Sequence, residues 1–197
     1  MEKKLEIINR LEENKDGIHI REISRLVKTG LPNVKRYLDI LEKEKIIKKE
    51  KKGNLINIHI NYNPRTFSYL KQIHYDLFSQ LPSKIQNAVN QFIKELNEKP
   101  LIALIFGSYA KNNYSKDSDI DILLVYQELK NQKEIENSAK NISGLTNTKI
   151  SPIYMDYKTF RENYLDKNDS FSNELRNKVI VLKGVGYYYD LVQEFEK

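Results

Sequence analysis

The feature that most restricts how this chain can fold is the unbroken apolar run Leu101-Ile102-Ala103-Leu104-Ile105-Phe106, which ends in Gly107-Ser108 and is followed eleven residues later by Asp119-Ile120-Asp121. A bounded apolar run of this length reads as a strand buried on both faces. If Ile120–Val125 is a second strand, Asp119 and Asp121 point the same way, because side chains alternate across a strand. Two carboxylates held that close repel unless a cation neutralises them, and a hard divalent ion such as Mg²⁺ takes oxygen ligands of this kind. Gly107-Ser108 at a strand-to-helix turn offers backbone N–H groups and a hydroxyl, with no side chain on Gly107 to obstruct a phosphate. Together these make half of a triphosphate cradle.

Phe106-Gly107-Ser108-Tyr109-Ala110-Lys111, followed by Asp117-Ser118-Asp119-Ile120-Asp121-Ile122-Leu123, resembles the G-S…D-x-D signature of the polymerase-β-like nucleotidyltransferase superfamily in its minimal form. The resemblance covers about residues 100–184. It implies a mixed sheet flanked by helices, Mg²⁺ with a two-ion site in view, and a nucleoside triphosphate (NTP) as substrate. In that scheme Asp119 and Asp121 are the catalytic metal ligands, while Gly107, Ser108, Lys111 and Ser118 meet the nucleotide. Nucleoside monophosphate (NMP) passes to an acceptor and pyrophosphate leaves. Lys111 has two readings, an offset for triphosphate charge or a solvated surface lysine.

Active members of the superfamily usually add a third carboxylate from a neighbouring strand. Here that strand, Ile150-Ser151-Pro152-Ile153-Tyr154-Met155, contains no acid. Ser151 stands at the position aligned with it, and Asp156, the nearest substitute, falls where an N-cap is expected. Asn112 replaces a glycine common among relatives, and asparagine also tolerates the left-handed backbone region.

Charge points to a different activity for the first third of the chain. Of the net +6, residues 1–61 hold fifteen basic against ten acidic side chains, and the remainder is almost balanced. A basic module joined to a near-neutral one suggests that the first part meets a polyanion. Leu5, Ile8 and Leu11 mark one amphipathic helix and Arg21–Val27 a second. Thr29-Gly30 breaks the chain before a third helix that opens at Leu31-Pro32 and buries Val34, Leu38 and Leu41. A lysine-rich hairpin follows, Ile46–Lys52 and Leu55–Ile60 about a Gly53-Asn54 turn, with Ile56, Ile58 and Ile60 on its covered face. This segment is similar to the winged helix-turn-helix domains of prokaryotic transcription regulators. The likeness implies binding to double-stranded DNA, with Asn33, Lys35 and Arg36 at base edges and Lys48, Lys49, Lys51 and Lys52 at phosphates.

The expected class is therefore α+β. A winged helix-turn-helix spans 1–62, linker helices 63–98, and a nucleotidyltransferase-fold domain 99–197. The linker helices carry the stripes Phe67, Leu70, His74, Leu77 and Ile85, Val89, Phe92, Leu96, suited to packing between modules or to a homodimer. His19, His59 and His74 lie too far apart for a ligand set and read as surface or strand-face residues. No cysteine is present, which fits a reducing cytoplasmic setting, and no apolar run is long enough for a bilayer. Three functions fit these motifs: a DNA-binding nucleotidyltransferase, a transcription regulator whose second domain binds nucleotide or dimerises without catalysis, and an antitoxin that adenylylates a partner toxin. For the third, Tyr187-Tyr188-Tyr189 are either modified hydroxyls or packing residues.

Overall fold

In the computed structural model, which describes residues 2–52 and 55–196, the chain divides between Ile73 and His74 into two units. The first contains α1 (Lys3–Glu12), β1 (Ile18–His19), α2 (Ile20–Leu26), α3 (Leu31–Lys43), β2 (Ile47–Lys52) and β3 (Leu55–Ile60). Its three strands form an antiparallel sheet in the order β1-β3-β2. Helical spacing puts Ile7, Ile8, Leu11, Val34, Leu38 and Leu41 on inward stripes, and they bury with Ile18, Ile47, Ile58 and Ile60 of the sheet. Pro32 sits in the first turn of α3, where its missing N–H leaves no bond unmade. Asn63 opens α4 (Pro64–Ser79) by accepting the backbone N–H groups of Arg65 and Thr66 at 3.0 and 3.1 Å.

The covered face of the hairpin is shorter than its alternation predicts. Ile58 and Ile60 are buried, but Ile56 is 51% exposed. It pairs with Lys51 towards the turn end of the hairpin, where alternation sets the face but the helices no longer cover it. The expected Gly53-Asn54 turn lies outside the described residues.

The second unit adds α5 (Ser83–Glu95), β4 (Ile102–Ile105), α6 (Gly107–Lys111), β5 (Ile120–Tyr126), α7 (Gln132–Thr146), β6 (Ile150–Asp156), α8 (Tyr157–Leu165), α9 (Ser170–Asn177), β7 (Ile180–Lys183) and α10 (Val185–Phe195). The sheet order is β6-β5-β4-β7. β4 pairs antiparallel with β5 and β7, whereas β5 and β6 run parallel and need α7 as a crossover. Ile120, Ile122, Leu124 and Tyr126 on one face of β5 join Ile85, Val89 and Phe92 of α5 and Ile135, Ala139 and Ile142 of α7 in one core. Asp121, Leu123 and Val125 take the other face, and Asp121 is the residue of β5 left partly exposed.

Both outer strands of this sheet have backbone groups turned away from their neighbours. Ile120 N–H donates to Lys149 O while Ile150 N–H turns outward to Ser143 Oγ. In the parallel ladder the outward set therefore includes residue 152, and Pro152 has no N–H to leave unpaired. At the opposite edge, Val181 N–H donates to His74 Nδ1 at 3.2 Å, and the His74 Nε2 lies 2.8 Å from the Tyr189 hydroxyl. An Nδ1 that accepts must be unprotonated, so in the neutral ring Nε2 carries the hydrogen. His74 is thus a buried edge cap. This corrects the surface or strand-face expectation, because residue 74 lies on the apolar stripe of α4 and not on its solvent face.

Candidate functional site

β4 delivers the chain to Phe106 in extended conformation, and Gly107 then takes φ +66°, a left-handed turn that starts α6. A Cβ on Gly107 would lie 2.3 Å from Asp121 Oδ2, so the carboxylate rests on the face that glycine leaves bare. Phe106 N–H donates to Asp121 O at 3.1 Å, which joins the glycine-serine turn to the acidic strand through the backbone. Asp119 immediately precedes β5 and shares the Asp121 face. The turn and both aspartates therefore meet at one end of the sheet.

The two carboxylates sit in different environments. Asp119 Oδ2 accepts from the Lys149 ammonium at 2.5 Å and from Ser151 Oγ at 3.1 Å. The Lys149 bond, then that of Ser151, holds the Asp119 carboxyl below the usual range despite partial desolvation. Burial, the charge of Asp119 and the charge of Glu174 push Asp121 above it. A half-buried carboxylate beside further negative charge offers hard oxygen donors of the kind a divalent cation takes. Ser151 stands in register with Asp121 on the parallel neighbour. Asp156 accepts Thr159 N–H at 2.8 Å as the N-cap of α8.

The remaining predicted nucleotide contacts are partly engaged. Lys111 Nζ bonds Glu174 Oε1 at 2.6 Å. Ser118 Oγ accepts Ser115 N–H at 2.8 Å, so its hydroxyl braces the loop that leads to Asp119. Tyr109 of α6 stacks on Tyr114 of the following loop at 4.5 Å between ring centroids. Asn112 closes α6 at φ 56°. Among the described residues no group of three or more His, Cys, Asp or Glu side chains is placed to hold a metal.

Lys149 and Glu174 were missed by sequence reasoning. Lys149 had a usable signal, since a strand at 150–156 parallel to 120–126 places the residue before one opposite the residue before the other. Glu174 lies on α9, a helix to which sequence reasoning assigned no element. Its N-cap, Asp169 accepting Ser172 N–H at 2.6 Å, was the readable clue. The T-shaped contact of Phe171 with Phe106 brings α9 to the turn.

Residues 87–177 match the family model described as polymerase beta, nucleotidyltransferase. The span runs from α5 through α9 and includes the turn, both aspartates, Lys149, Ser151 and Glu174. The chain is also similar to a Methanocaldococcus jannaschii protein named "Putative protein adenylyltransferase MJ0141", at 29% identity over 99 residues, 47% of this chain and 99% of that protein. Both findings support nucleotidyltransferase activity for this part of the chain. Residues 1–86 lie outside the family match.

In the first unit, Asn33, Lys35 and Arg36 are exposed at the start of α3. The hairpin lysines divide between two faces. Lys48 pairs across the ladder with His59, while Lys49 and Lys51 pair with Ile58 and Ile56. Lys49 bonds Glu42 at 2.5 Å and Asp39 at 3.4 Å on α3, so its ammonium already has two acidic partners. Lys52 ends β2. In the described part of the second unit, Tyr188 donates to Leu175 O at 3.0 Å and Tyr189 bonds His74, whereas Tyr187 is half exposed. No described helix is long and apolar enough to cross a membrane.

Proposed function

We propose that this chain transfers a nucleoside monophosphate, AMP first in order, from a nucleoside triphosphate to a side-chain hydroxyl of another protein. The seat of the Asp121 carboxylate on the bare face of Gly107, with Asp119 beside it, carries this reading. The choice of a protein acceptor follows the name of the archaeal relative. Asp119 and Asp121 offer the hard oxygen donors that Mg²⁺ prefers, and the half-buried Asp121 lies beside further negative charge. Bound there, the ion would offset triphosphate charge at the α-phosphorus.

The chain's own residues account for the rest. Ser151 fixes the rotamer of Asp119 through its hydrogen bond, and Ser108 lies in the first turn of α6, where its hydroxyl and the turn's backbone N–H groups suit phosphate oxygens. The acceptor oxygen bonds to the α-phosphorus as the bond to the bridging oxygen breaks. Pyrophosphate takes the electron pair and the hydroxyl proton passes to solvent. Incubation with α-labelled ATP, Mg²⁺ and a protein extract tests the reading: label should enter protein, and Asp119→Ala or Asp121→Ala should stop it. Nucleotide binding without transfer would assign the site to sensing instead.

For the first unit we propose a winged helix that binds double-stranded DNA. Supporting it are the element order, the three-stranded antiparallel sheet and the exposed Asn33, Lys35 and Arg36 on α3. Duplex binding followed by fluorescence anisotropy should weaken steeply with salt. Retention that ignores salt would remove this reading.

A further inference from the structure

How many divalent ions the Asp119–Asp121 pair can hold depends on what faces Asp119 from the β6 side of the sheet. Where a third acid would stand, β6 offers the Ser151 hydroxyl, and just ahead of that strand Lys149 offers an ammonium. Both bond the same oxygen, Asp119 Oδ2, at 3.1 and 2.5 Å. The other nearby acid, Glu174, is bonded to Lys111 at 2.6 Å. A second divalent ion on the β6 side of Asp119 would have to share that oxygen with a positive charge already in contact with it. Like charges at such range repel, and the repulsion grows with the valence of the ion.

We propose that the Lys149 ammonium takes the place of the second divalent cation, so that the Asp119–Asp121 pair holds one such ion, on the Gly107 side. The inference rests on the reading of those two aspartates as the cation site. It assigns three roles: Asp121 and the remaining oxygen of Asp119 face the nucleotide-bound ion, Ser151 orients Asp119, and Lys149 balances charge on the far side. Lys149 is therefore a charge-compensating residue whose position is set by β6, and its side chain is otherwise largely open to solvent at 71% exposure.

The test counts Mn²⁺ bound to the full chain in the presence of α,β-methylene-ATP, reading free Mn²⁺ by electron paramagnetic resonance. Wild type should bind one ion per chain. Lys149→Ala, at a largely exposed position, removes a positive neighbour and should tighten that ion by roughly three- to tenfold, the lower end reflecting solvent screening. The double variant Lys149→Ala with Ser151→Asp replaces the ammonium by a carboxylate and should bind two. Two ions in wild type, an unchanged affinity in Lys149→Ala, or a folded double variant that stays at one ion each overturns the inference while leaving the cation site standing. If wild type binds no Mn²⁺ beyond the level of Asp121→Asn, both the inference and the reading beneath it fall.

Discussion

Gly107→Ala separates the site from the scaffold, because its two consequences fall on different measurements. The added Cβ would stand 2.3 Å from Asp121 Oδ2 and 3.2 Å from its Cγ, and the backbone there has φ +66°. The clash is with the free end of a side chain, so Asp121 can rotate away at small cost in folding. What remains is the left-handed conformation of a residue with a Cβ, about 1–2 kcal/mol. A shift in the urea midpoint of that size, with the slope unchanged, is expected. For binding, the displaced carboxylate is the one the cation needs. A ligand turned from its geometry typically weakens metal affinity about 10–100-fold, and calorimetric titration with Mg²⁺ and α,β-methylene-ATP should show a loss in that range. Gly184→Ala is the matched control. There the new Cβ would lie 2.1 Å from the Leu101 backbone oxygen, which cannot rotate aside, so stability should fall further while nucleotide affinity holds. If Gly107→Ala binds nucleotide as wild type does, Asp121 is not a ligand in the orientation described and the argument for the site fails.

Burial, Asp119 and Glu174 raise Asp121, so folding prefers its protonated form, and stability should fall as pH rises from the ordinary carboxylate range through the raised value. Asp121→Asn should therefore unfold at higher temperature than wild type at neutral pH, with the two converging in acid; equal midpoints at neutral pH would contradict this. His74→Leu strips the acceptor from Val181 N–H and removes one contact of the Tyr189 hydroxyl, and should cost about 1–3 kcal/mol by urea unfolding, whereas a neutral outcome would show that water replaces the ring. In duplex binding, Lys48→Ala should lower the slope of log affinity against log salt by about 0.9. Lys49→Ala should leave that slope alone, because Glu42 and Asp39 already hold its ammonium; a slope change for Lys49 and none for Lys48 would reverse the assignment.

Where local pattern decides structure, the sequence was readable. Val34, Leu38 and Leu41 on α3 and Ile85, Val89, Phe92 and Leu96 in and after α5 are buried as their spacing requires. The glycine-serine turn and the Asp119–Asp121 pair fall at one end of the sheet because a strand has a period of two and the turn ends its antiparallel neighbour. Side-chain partners across the fold were not readable. Nothing in Lys149, Glu174 or His74 taken singly announces the oxygen or nitrogen each one meets. Those contacts depend on the parallel register of β5 and β6, on α9 reaching the turn through Phe171, and on α4 carrying His74 to β7. Ile56 shows the same limit in reverse: alternation assigns it to the covered face of the hairpin, but coverage depends on how far the helices extend.

The two capped flanks of the second sheet have a consequence for how this protein can meet other chains. A stray extended segment arriving at β6 finds a proline where a donor is needed and a serine already bonded to Ile150, and one arriving at β7 finds the Val181 donor occupied by an imidazole. Templated growth, whether by strand exchange between copies or by fibril nucleation, is thereby obstructed in the native state at these points. Partial melting of α4 would withdraw His74 and reopen the β7 flank, so the integrity of that helix guards against self-association.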